Sequence, residues 1–261
     1  MIPTDEIMAA AKTLKVPTST IERDYAQGWL LAGLPTAGLA LKGGTGVRKA
    51  YIPDYRFSDD LDFTVLRAVD IDKIRATLLA AVQSARDASL IPFEPALDLR
   101  ENKNGFVTEI YFGMLLSGRS RIKIKVDISK QITEGHLLPL VQRPLIHPYS
   151  DRCEATLSAY SLEEMAAEKV RSLFQRTRAR DLFDVHRLVV GQKIERGAFE
   201  GILRRKFEIR SVVADIKEIE GRKVQFQGGW KQSLRHQMGA VPEFEQVYRE
   251  VLSELGRLPI F

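Results

Sequence analysis

A paired glycine ahead of two closely spaced aspartates is the feature that most restricts the fold of this chain. It lies within residues 41 to 63, which read LKGGTGVRKAYIPDYRFSDDLDF. Gly43 and Gly44 follow a short apolar run that is typical of a strand. Because glycine readily adopts the positive φ angles that bring backbone N–H groups close to a phosphate, the pair predicts a phosphate-binding turn.

Asp60 and Asp62 come next, and they are separated by one residue. On a strand their carboxylates point to one face, while Leu61 and Phe63 point toward the core. At about 5 Å and an effective dielectric near 20 the two charges repel by roughly 3 kcal/mol, and a hard divalent cation would reverse this. Taken separately, a Gly-Gly turn is ordinary and an Asp-x-Asp pair is usually a solvated strand face. Together they predict a metal site beside the turn.

The composition indicates which metal and which class of protein to expect. The chain has 261 residues, 44% of them hydrophobic, which is enough for a packed core. A single cysteine, Cys153, excludes an internal disulfide and a cysteine-based zinc cluster. The four histidines are too far apart in the sequence for a short metal motif: His136, His147, His186 and His236. A metal would therefore have oxygen ligands, and Mg²⁺ fits best.

The charge and hydropathy patterns indicate location and partners. Residues 1 to 6 lack the basic start and apolar run of a signal peptide, and no stretch approaches eighteen uncharged apolar residues. We therefore expect a cytoplasmic protein with no membrane partner. The net charge of +5 favours a polyanionic partner. The sequence leaves the oligomeric state open.

The combination Gly-Gly-Thr, a spacer and Arg-x-Ser-x-Asp-Leu-Asp-Phe is far more specific than its parts. It resembles the nucleotidyltransferases of the DNA polymerase β superfamily, and its second half resembles the AbiEii/AbiGii toxin family, which includes the MenT-like toxins. The resemblance implies two Mg²⁺ ions held by Asp60 and Asp62, with an NTP as substrate. It implies a nucleotide-binding role for these residues: Gly43, Gly44, Thr45, Arg56 and Ser58.

A strictly alternating segment from residue 119 to residue 128 supplies a candidate third carboxylate. Ile122, Ile124, Val126 and Ile128 take one face, and the other carries three basic residues and Asp127. By itself the pattern is that of a solvated strand face whose aspartate pairs with a neighbouring lysine. In a polymerase β-like palm, an aspartate on a neighbouring strand completes the metal triad, and Asp127 is the well-placed candidate. The lysines would form a basic apron suited to a phosphate backbone.

A basic helix follows Ser161, which opens a capping box with Glu164. Lys169 falls within its apolar stripe, so it either snorkels past the core or reaches a buried anion. If the helix continues, Lys169, Arg176 and Arg180 share one face. The block from Lys169 to Asp184 resembles the second motif of the AbiEii-like family, which implies that Lys169 and Arg180 assist the nucleotide and that Lys169 and Asp181 are catalytic. Asp184 could instead pair with Arg180 at i+4.

The periodicity and the resemblance together predict an α+β fold. Residues 1–155 are expected to form a polymerase β-like nucleotidyltransferase palm, which is a mixed sheet with flanking helices, together with N-terminal helices. Residues 156–261 are expected to form a mainly helical domain that contributes Lys and Arg to the active site. Predicted helices lie within 4–34, capped by Thr18, Ser19 or Thr20 and ended by Gly33 and Pro35, and over 70–89. Predicted strands are 37–41, 61–66, 106–116 and 121–129, with a turn at Gly118, and 130–155 reads as an irregular connection.

The function that the resemblance implies is that of a toxin that adds nucleotides to tRNA 3′ ends and is opposed by a cognate antitoxin. A second interpretation keeps nucleotidyl transfer but takes a small molecule or a protein hydroxyl as acceptor. A third is an inactive nucleic-acid-binding module that kept the palm as a scaffold. The basic residues near the motifs favour RNA over small cationic acceptors, and the three aspartates argue against an inactive module.

Overall fold

A computed structural model describes residues 1–34, 38–115, 121–192, 194 and 196–260. The chain divides into two compact units. The first comprises Met1–Ile132 and Pro139–Tyr160, and the second comprises Thr133–Leu138 and Ser161–Phe261. Within the described residues, no helix combines the length and the apolar character that crossing a bilayer requires.

The first unit is built on a mixed sheet in which seven strands are described. They are β1 (Leu39–Lys42), β2 (Asp60–Val65), β3 (Arg100–Asn102), β4 (Gly105–Phe112), β5 (Ile122–Lys130), β6 (Val141–Pro144) and β7 (Thr156–Ala159). Their order across the sheet is β3-β4-β5-β2-β1-β7-β6. The central pair, β2 and β5, is parallel, and β1 is antiparallel to β2.

Helices surround this sheet at several points of the chain. They are α1 (Thr4–Leu14), α2 (Thr18–Gly33), α3 (Gly43–Ala50) and α4 (Ile71–Ser89), and the short α5 (Gln131–Glu134) begins in the first unit and ends in the second. Apolar side chains of α2 and α4, among them Leu30 and Leu78, lie against the strand residues Leu61, Phe63 and Val126. The core of this unit is therefore on the face of the sheet opposite Asp60 and Asp62.

The second unit is helical in its described elements. They are α6 (Leu162–Gln175), α7 (Ala179–Val185), a π-helical turn (His186–Val190), α8 (Arg196–Ile209), α9 (Ile216–Glu220), α10 (Lys223–Leu234) and α11 (Phe244–Leu255). Trp230 is buried against the rings of Phe183 and Phe244, and its indole N–H donates to the Pro242 carbonyl at 2.8 Å. Lys206 is fully buried and pairs with Glu164 at 2.7 Å and Glu168 at 3.0 Å.

Several predicted element ends are confirmed by their caps. The helix expected over 70–89 begins after Asp70, whose carboxylate accepts the backbone N–H of Lys73. Ser161 likewise accepts the backbone N–H of Glu164, as half of a capping box. The Glu164 carboxylate accepts the N–H groups of Leu137 and Leu138, at 2.8 and 2.9 Å.

Other local predictions are wrong, one at the start of α2 and the rest in short strands. Thr18, Ser19 and Thr20 lie inside the first turn of α2, whose N-cap is Pro17. The region predicted as an irregular connection contains β6, and β3 and β7 were also missed. These three strands have three or four residues each, so they carry too few positions for a periodic signal. The predictions for Pro35, Ala37, Leu116 and Gly118 lie outside the described residues.

One buried carboxylate joins α2 to α3. Asp24 accepts from Arg48 Nε at 2.8 Å, from Lys49 Nζ at 2.7 Å and from the Tyr149 hydroxyl at 2.8 Å. Burial would raise the pKa of the Asp24 carboxyl, but the adjacent Lys49 and Arg48 hold that pKa well below its usual value. Arg48 also donates to the Pro53 carbonyl and stacks on the Phe57 ring at 3.8 Å. The ion cluster therefore fixes both α3 and the loop that leads into β2.

We expect Asp24→Asn to lower the free energy of unfolding by about 3 to 5 kcal/mol, because it leaves two buried cations without their anion. Urea unfolding followed by circular dichroism measures this. Asp72→Asn is the matched control, since its carboxylate is 84% exposed and pairs with Arg75 on the surface. Its cost should stay within about 0.5 kcal/mol. Equal stability of the two variants would contradict the role given to Asp24.

Candidate active site

The strand register sets the three predicted carboxylates on one face of the sheet. Asp62 on β2 is the direct partner of Asp127 on β5, and Asp60 is the partner of Lys125. Directly paired residues on neighbouring strands project to the same side, and the strands lie about 4.8 Å apart. The alternation predicted for β2 is confirmed, since Asp60 and Asp62 are half-buried while Leu61 and Phe63 are buried.

The carboxylate of Asp127 is engaged by a lysine from its own strand. Lys125 Nζ lies 3.2 Å from Asp127 Oδ2, and both side chains are about half exposed, at 42% and 44%. In the part of the chain that the structure describes, no three His, Cys, Asp or Glu side chains are gathered closely enough to hold a metal ion. Asp127 thus pairs with a neighbouring lysine, which is the alternative considered for a solvated strand face. It lies on the same face of the sheet as Asp60 and Asp62.

The glycine turn lies directly against Asp62. Gly43 has φ +70°, in the left-handed region that favours glycine, and it opens α3. A Cβ atom at Gly43 would overlap Asp62 Oδ2 and would lie only 2.8 Å from Asp62 Cγ. At Gly44 a Cβ atom would lie 2.9 Å from Ser58 Oγ and 3.3 Å from Arg56 Nη2. The structure therefore brings the turn together with the Arg-x-Ser-x-Asp-x-Asp motif, and it leaves no room for a side chain at either glycine.

Two residues predicted to bind nucleotide also have structural contacts. The Thr45 hydroxyl donates to the backbone carbonyl of Asp60 at 2.5 Å, so it ties α3 to β2. Arg56 is buried, donates to the Phe57 carbonyl at 3.0 Å and lies 5.6 Å from the Tyr55 ring centroid. The Arg56 contacts lie within the loop before β2, and the Thr45 contact joins α3 to the start of β2.

Side chains of α2 position the approach to β2. Gln27 donates to the Ser58 carbonyl at 3.0 Å. Arg23 pairs with Asp59 at 2.5 Å and also donates to the Lys123 carbonyl of β5 at 3.0 Å. Because Arg23 contacts β5 and the residue immediately before β2, α2 helps to fix the place of Asp60 and Asp62 relative to Asp127.

Lys42 is a residue of the site that the sequence interpretation missed. It is the direct partner of Asp62 on β1, is 6% exposed and lies 5.8 Å from the Tyr160 ring centroid. It adds a positive charge to the strand beside Asp62. Its position immediately before Gly43 was the available signal, since the last residue of a strand that enters a phosphate turn borders the site.

The residues of the second motif form a cluster inside the second unit. Lys169 Nζ lies 2.7 Å from Asp184 and 3.7 Å from Asp181, and both carboxylates are buried. Asp184, for which a pair with Arg180 was the alternative, pairs with Lys169. The buried-anion alternative for Lys169 is the one that the structure supports.

The predicted continuous basic face is wrong. The helix that carries Lys169 ends at Gln175, and Arg176 is extended with φ −155°. Arg180 lies half-buried in the first turn of the next helix, α7. Because its backbone has turned away, Arg176 pairs instead with Asp181 at 2.7 Å. The local signal for the break was weak, since residues 176 to 178 contain neither glycine nor proline.

The donor set on the sheet suits a hard cation. Carboxylate oxygens are the ligands that Mg²⁺ prefers, and Asp60, Asp62 and Asp127 present them from adjacent strands. The backbone N–H groups at the start of α3 favour a bound anion next to them. This arrangement of carboxylates beside an anion-binding turn suits chemistry on a phosphate ester.

Comparison with known proteins supports the same chemistry. The chain matches, over residues 29–250, a family described as nucleotidyl transferase AbiEii toxin, type IV toxin–antitoxin system. No curated protein sequence matches it. The fold is similar to that of MenT4, a nucleotidyltransferase toxin from Mycobacterium tuberculosis H37Rv, with a TM-score of 0.64 and 18% identity over 99% of this chain and 91% of that one.

It is also similar to a protein from H. pylori that carries a nucleotidyltransferase description, with a TM-score of 0.62 and 16% identity over 93% of this chain and 96% of that one. At these identities the two structures establish a shared fold, which confirms the predicted α+β nucleotidyltransferase architecture. The family match covers most of the chain and confirms the resemblance seen in the Gly-Gly and Asp-x-Asp motifs. The chain therefore belongs to the AbiEii family of nucleotidyltransferase toxins of type IV toxin–antitoxin systems.

Proposed function

We propose that this nucleotidyltransferase moves a nucleoside monophosphate from an NTP to an RNA acceptor, the tRNA 3′ end, in a reaction that depends on Mg²⁺. The observation that carries the proposal is the meeting of three features on one face of the sheet. Asp62 is paired in register with Asp127, and Gly43 lies so close to Asp62 that a methyl group would not fit between them.

In this proposal Asp60, Asp62 and Asp127 hold two Mg²⁺ ions. Bound there, Mg²⁺ would neutralise charge on the triphosphate and lower the pKa of the acceptor hydroxyl. The backbone of Gly43, Gly44 and Thr45 holds the β- and γ-phosphates, and Arg56 and Ser58 border the same turn.

The transfer step follows from these positions. The acceptor hydroxyl oxygen attacks the α-phosphorus, and a new P–O bond forms as the bond to the oxygen that bridges the α- and β-phosphates breaks. Pyrophosphate leaves with the electron pair of that bond, held by the N-terminus of α3. The hydroxyl proton passes to the Asp127 carboxylate, which is half exposed and so open to an incoming acceptor.

An RNA acceptor is supported by the charge along β5. Lys123 and Lys125 project from the same face as Asp127, Arg121 comes immediately before this strand, and the chain has a net charge of +5. Such a row suits a phosphate backbone, whereas a small cationic acceptor would need an acidic surface. A cognate antitoxin is the partner expected for a toxin of this family. The roles expected of Lys169, Arg180 and Asp181 remain predictions.

Replacing either aspartate of β2 should abolish transfer without unfolding the chain. We expect Asp60→Ala and Asp62→Ala to lower the rate by at least about 10²-fold, because each removes a charge placed for the transition state. The assay incubates the protein with Mg²⁺, each labelled NTP in turn and total tRNA, and thermal unfolding checks the fold. Asp72→Ala, an exposed aspartate on α4, is the control.

Near-full activity of either β2 variant would refute the metal assignment. Label on a small molecule or a protein instead of tRNA would refute the acceptor but keep the chemistry. Binding of tRNA without label would indicate a module that binds RNA and does not transfer.

Alanine substitutions at two glycines with positive φ distinguish the effect of backbone strain from the effect of crowding by the added methyl group. Gly38 has φ +96°, and a Cβ atom added there would meet nothing within 4 Å, whereas Gly43 has φ +70° and faces Asp62. We expect Gly38→Ala and Gly43→Ala each to cost about 1 to 2 kcal/mol of stability. Only Gly43→Ala should also lose transfer, because its methyl group displaces the carboxylate. Equal activity of the two variants in the tRNA labelling assay would contradict this.

Negative charge at Ser58 should silence the enzyme. Phosphorylation there would add roughly two negative charges next to the turn and the β2 carboxylates, which opposes the binding of a triphosphate. Ser58→Asp reproduces part of this charge, and Ser58→Asn is the uncharged control of similar size. We expect a large rise in KM for NTP in Ser58→Asp compared with Ser58→Asn. A fully active Ser58→Asp protein would refute the idea.

A further inference from the structure

A cleft on the carboxylate face of the sheet adjoins the site described above and shares Lys125 with it. It lies between the segment 94–100 and strands β4 and β5, and its volume is about 560 Å³. This is within the usual range for small-ligand sites, roughly 300 to 1,000 Å³. The polar residues that matter to its chemistry are Glu94, Arg100, Glu109, Tyr111, Arg121 and Lys125.

The strand register connects this cleft to the carboxylates. Glu109 on β4 pairs with Lys125 on β5, and Val107 pairs with Asp127, so the floor of the cleft continues onto the strand that carries Asp127. Lys125 lines the cleft and at the same time lies 3.2 Å from Asp127. The cleft thus opens directly beside the outermost of the three carboxylates.

The order of the strands indicates which substrate would enter it. In phosphoryl transfer the attacking and leaving oxygens lie roughly in line on opposite sides of the phosphorus. The glycine turn that would hold the leaving pyrophosphate lies on the β1 side of Asp62, and the sheet continues from β2 through β5 to β4 on the other side. The acceptor must therefore approach over β5 and β4, which is where the cleft lies.

We propose that this cleft binds the 3′-terminal nucleotides of the acceptor RNA and places the attacking hydroxyl beside Asp127. The proposal rests on the function proposed above, and adds to it the location of the acceptor subsite and the residues that form it. It commits to a single-stranded RNA end, because unpaired bases can leave the stack and lie on an aromatic or guanidinium plane.

The side chains of the cleft match the parts of such a nucleotide. The Arg121 guanidinium lies 4.6 Å from the Tyr111 ring centroid, so the two form a platform on which a base can stack. Arg121 Nη1 also donates to both carboxylate oxygens of Glu94, at 2.9 and 3.0 Å. Arg100 and Lys125 are positive charges at the cleft that can meet backbone phosphates.

Acceptors of hydrogen bonds for the base edge are also present. Glu109 accepts from Lys123 at 2.5 Å and from the Tyr111 hydroxyl at 2.6 Å, and these bonds, that of Lys123 most, lower the pKa of the Glu109 carboxyl. The carboxylate therefore stays ionised as an acceptor for base amino groups. The ion pairs at the cleft are exposed, at 65% and 37% for Arg121 and Glu94 and 75% and 70% for Arg100 and Asp98. Exposed pairs are cheap to exchange for a ligand.

Variants of Tyr111 test whether the cleft binds RNA, because such a role predicts a change in KM for RNA and none in KM for NTP. We expect Tyr111→Leu to raise KM for the RNA acceptor about tenfold, since base stacking on an aromatic ring contributes on that scale, and to leave KM for NTP close to the wild-type value. Tyr111→Phe keeps the ring and should keep most of the affinity for RNA. A higher KM for NTP with an unchanged KM for RNA would overturn the proposal in favour of a nucleotide-base site.

A matched pair of arginines tests the phosphate contact. Arg100 and Arg152 are both exposed, and each pairs with an acid two residues away, Asp98 and Glu154 respectively. Arg100 lies in the cleft, whereas Arg152 is outside it. Arg100→Gln should raise KM for RNA about threefold and flatten its salt dependence, while Arg152→Gln should change neither. Equal effects of the two changes would indicate a general charge effect and overturn the role of Arg100.

Photocrosslinking separates failure of this proposal from failure of the proposed function. A single-stranded RNA oligonucleotide with 4-thiouridine as its 3′-terminal nucleotide is irradiated with the full-length protein, and the crosslinked peptide is mapped by mass spectrometry. Crosslinks within 94–111 or 121–125 support the cleft even if the wild-type protein labels no RNA, an outcome that refutes the function alone. Crosslinks elsewhere, with wild-type labelling intact, overturn the cleft alone.

Discussion

The first unit depends on a carboxylate that has no access to water. Asp24 holds Lys49 and Arg48 on α3, and its neighbours Arg23 and Gln27 on α2 hold Asp59 and the Ser58 carbonyl before β2. α2 therefore contacts both parts of the site, the helix that follows the phosphate turn and the segment that leads into the carboxylate strand. Since a buried ion cluster is costly to break, these two parts keep their relative positions while exposed side chains around them exchange partners.

Strand register then decides which groups share a face. Asp62 faces Asp127 on one side and Lys42 on the other because β2 pairs with both β5 and β1 at these positions. A slip of one residue would turn the carboxylates into the core, and Leu61 and Phe63 into water. Burial of those apolar side chains against α2 and α4 opposes such a slip. The packing of the core on one face of the sheet thus aligns the polar groups on the other.

The carboxylate face of the sheet could be predicted from the sequence because the patterns that form it are local. Positive φ at Gly43 and the period of two in β2 and β5 are properties of the chain over a few residues, and the structure agrees with them. The second motif shows where such reasoning ends. The break after Gln175 and the pair between Lys169 and Asp184 depend on how α6 and α7 pack together. The spacing of charges along a single ideal helix cannot predict that packing. Lys42 was missed for a related reason, since its relation to Asp62 exists only across strands.

The charge balance of the carboxylate face links the site to the cleft. Asp60, Asp62 and Asp127 on adjacent strands repel one another, and the chain offsets this with lysines of its own, Lys42 in register with Asp62 and Lys125 beside Asp127. If Asp127 holds Mg²⁺ as proposed, its pair with Lys125 is the contact that it makes without the cation. In the proposed reaction, a cation that takes Asp127 releases the ammonium of Lys125 toward the cleft that it lines. Binding of Mg²⁺ and binding of an RNA phosphate would favour each other through this side chain, because each removes a competitor of the other.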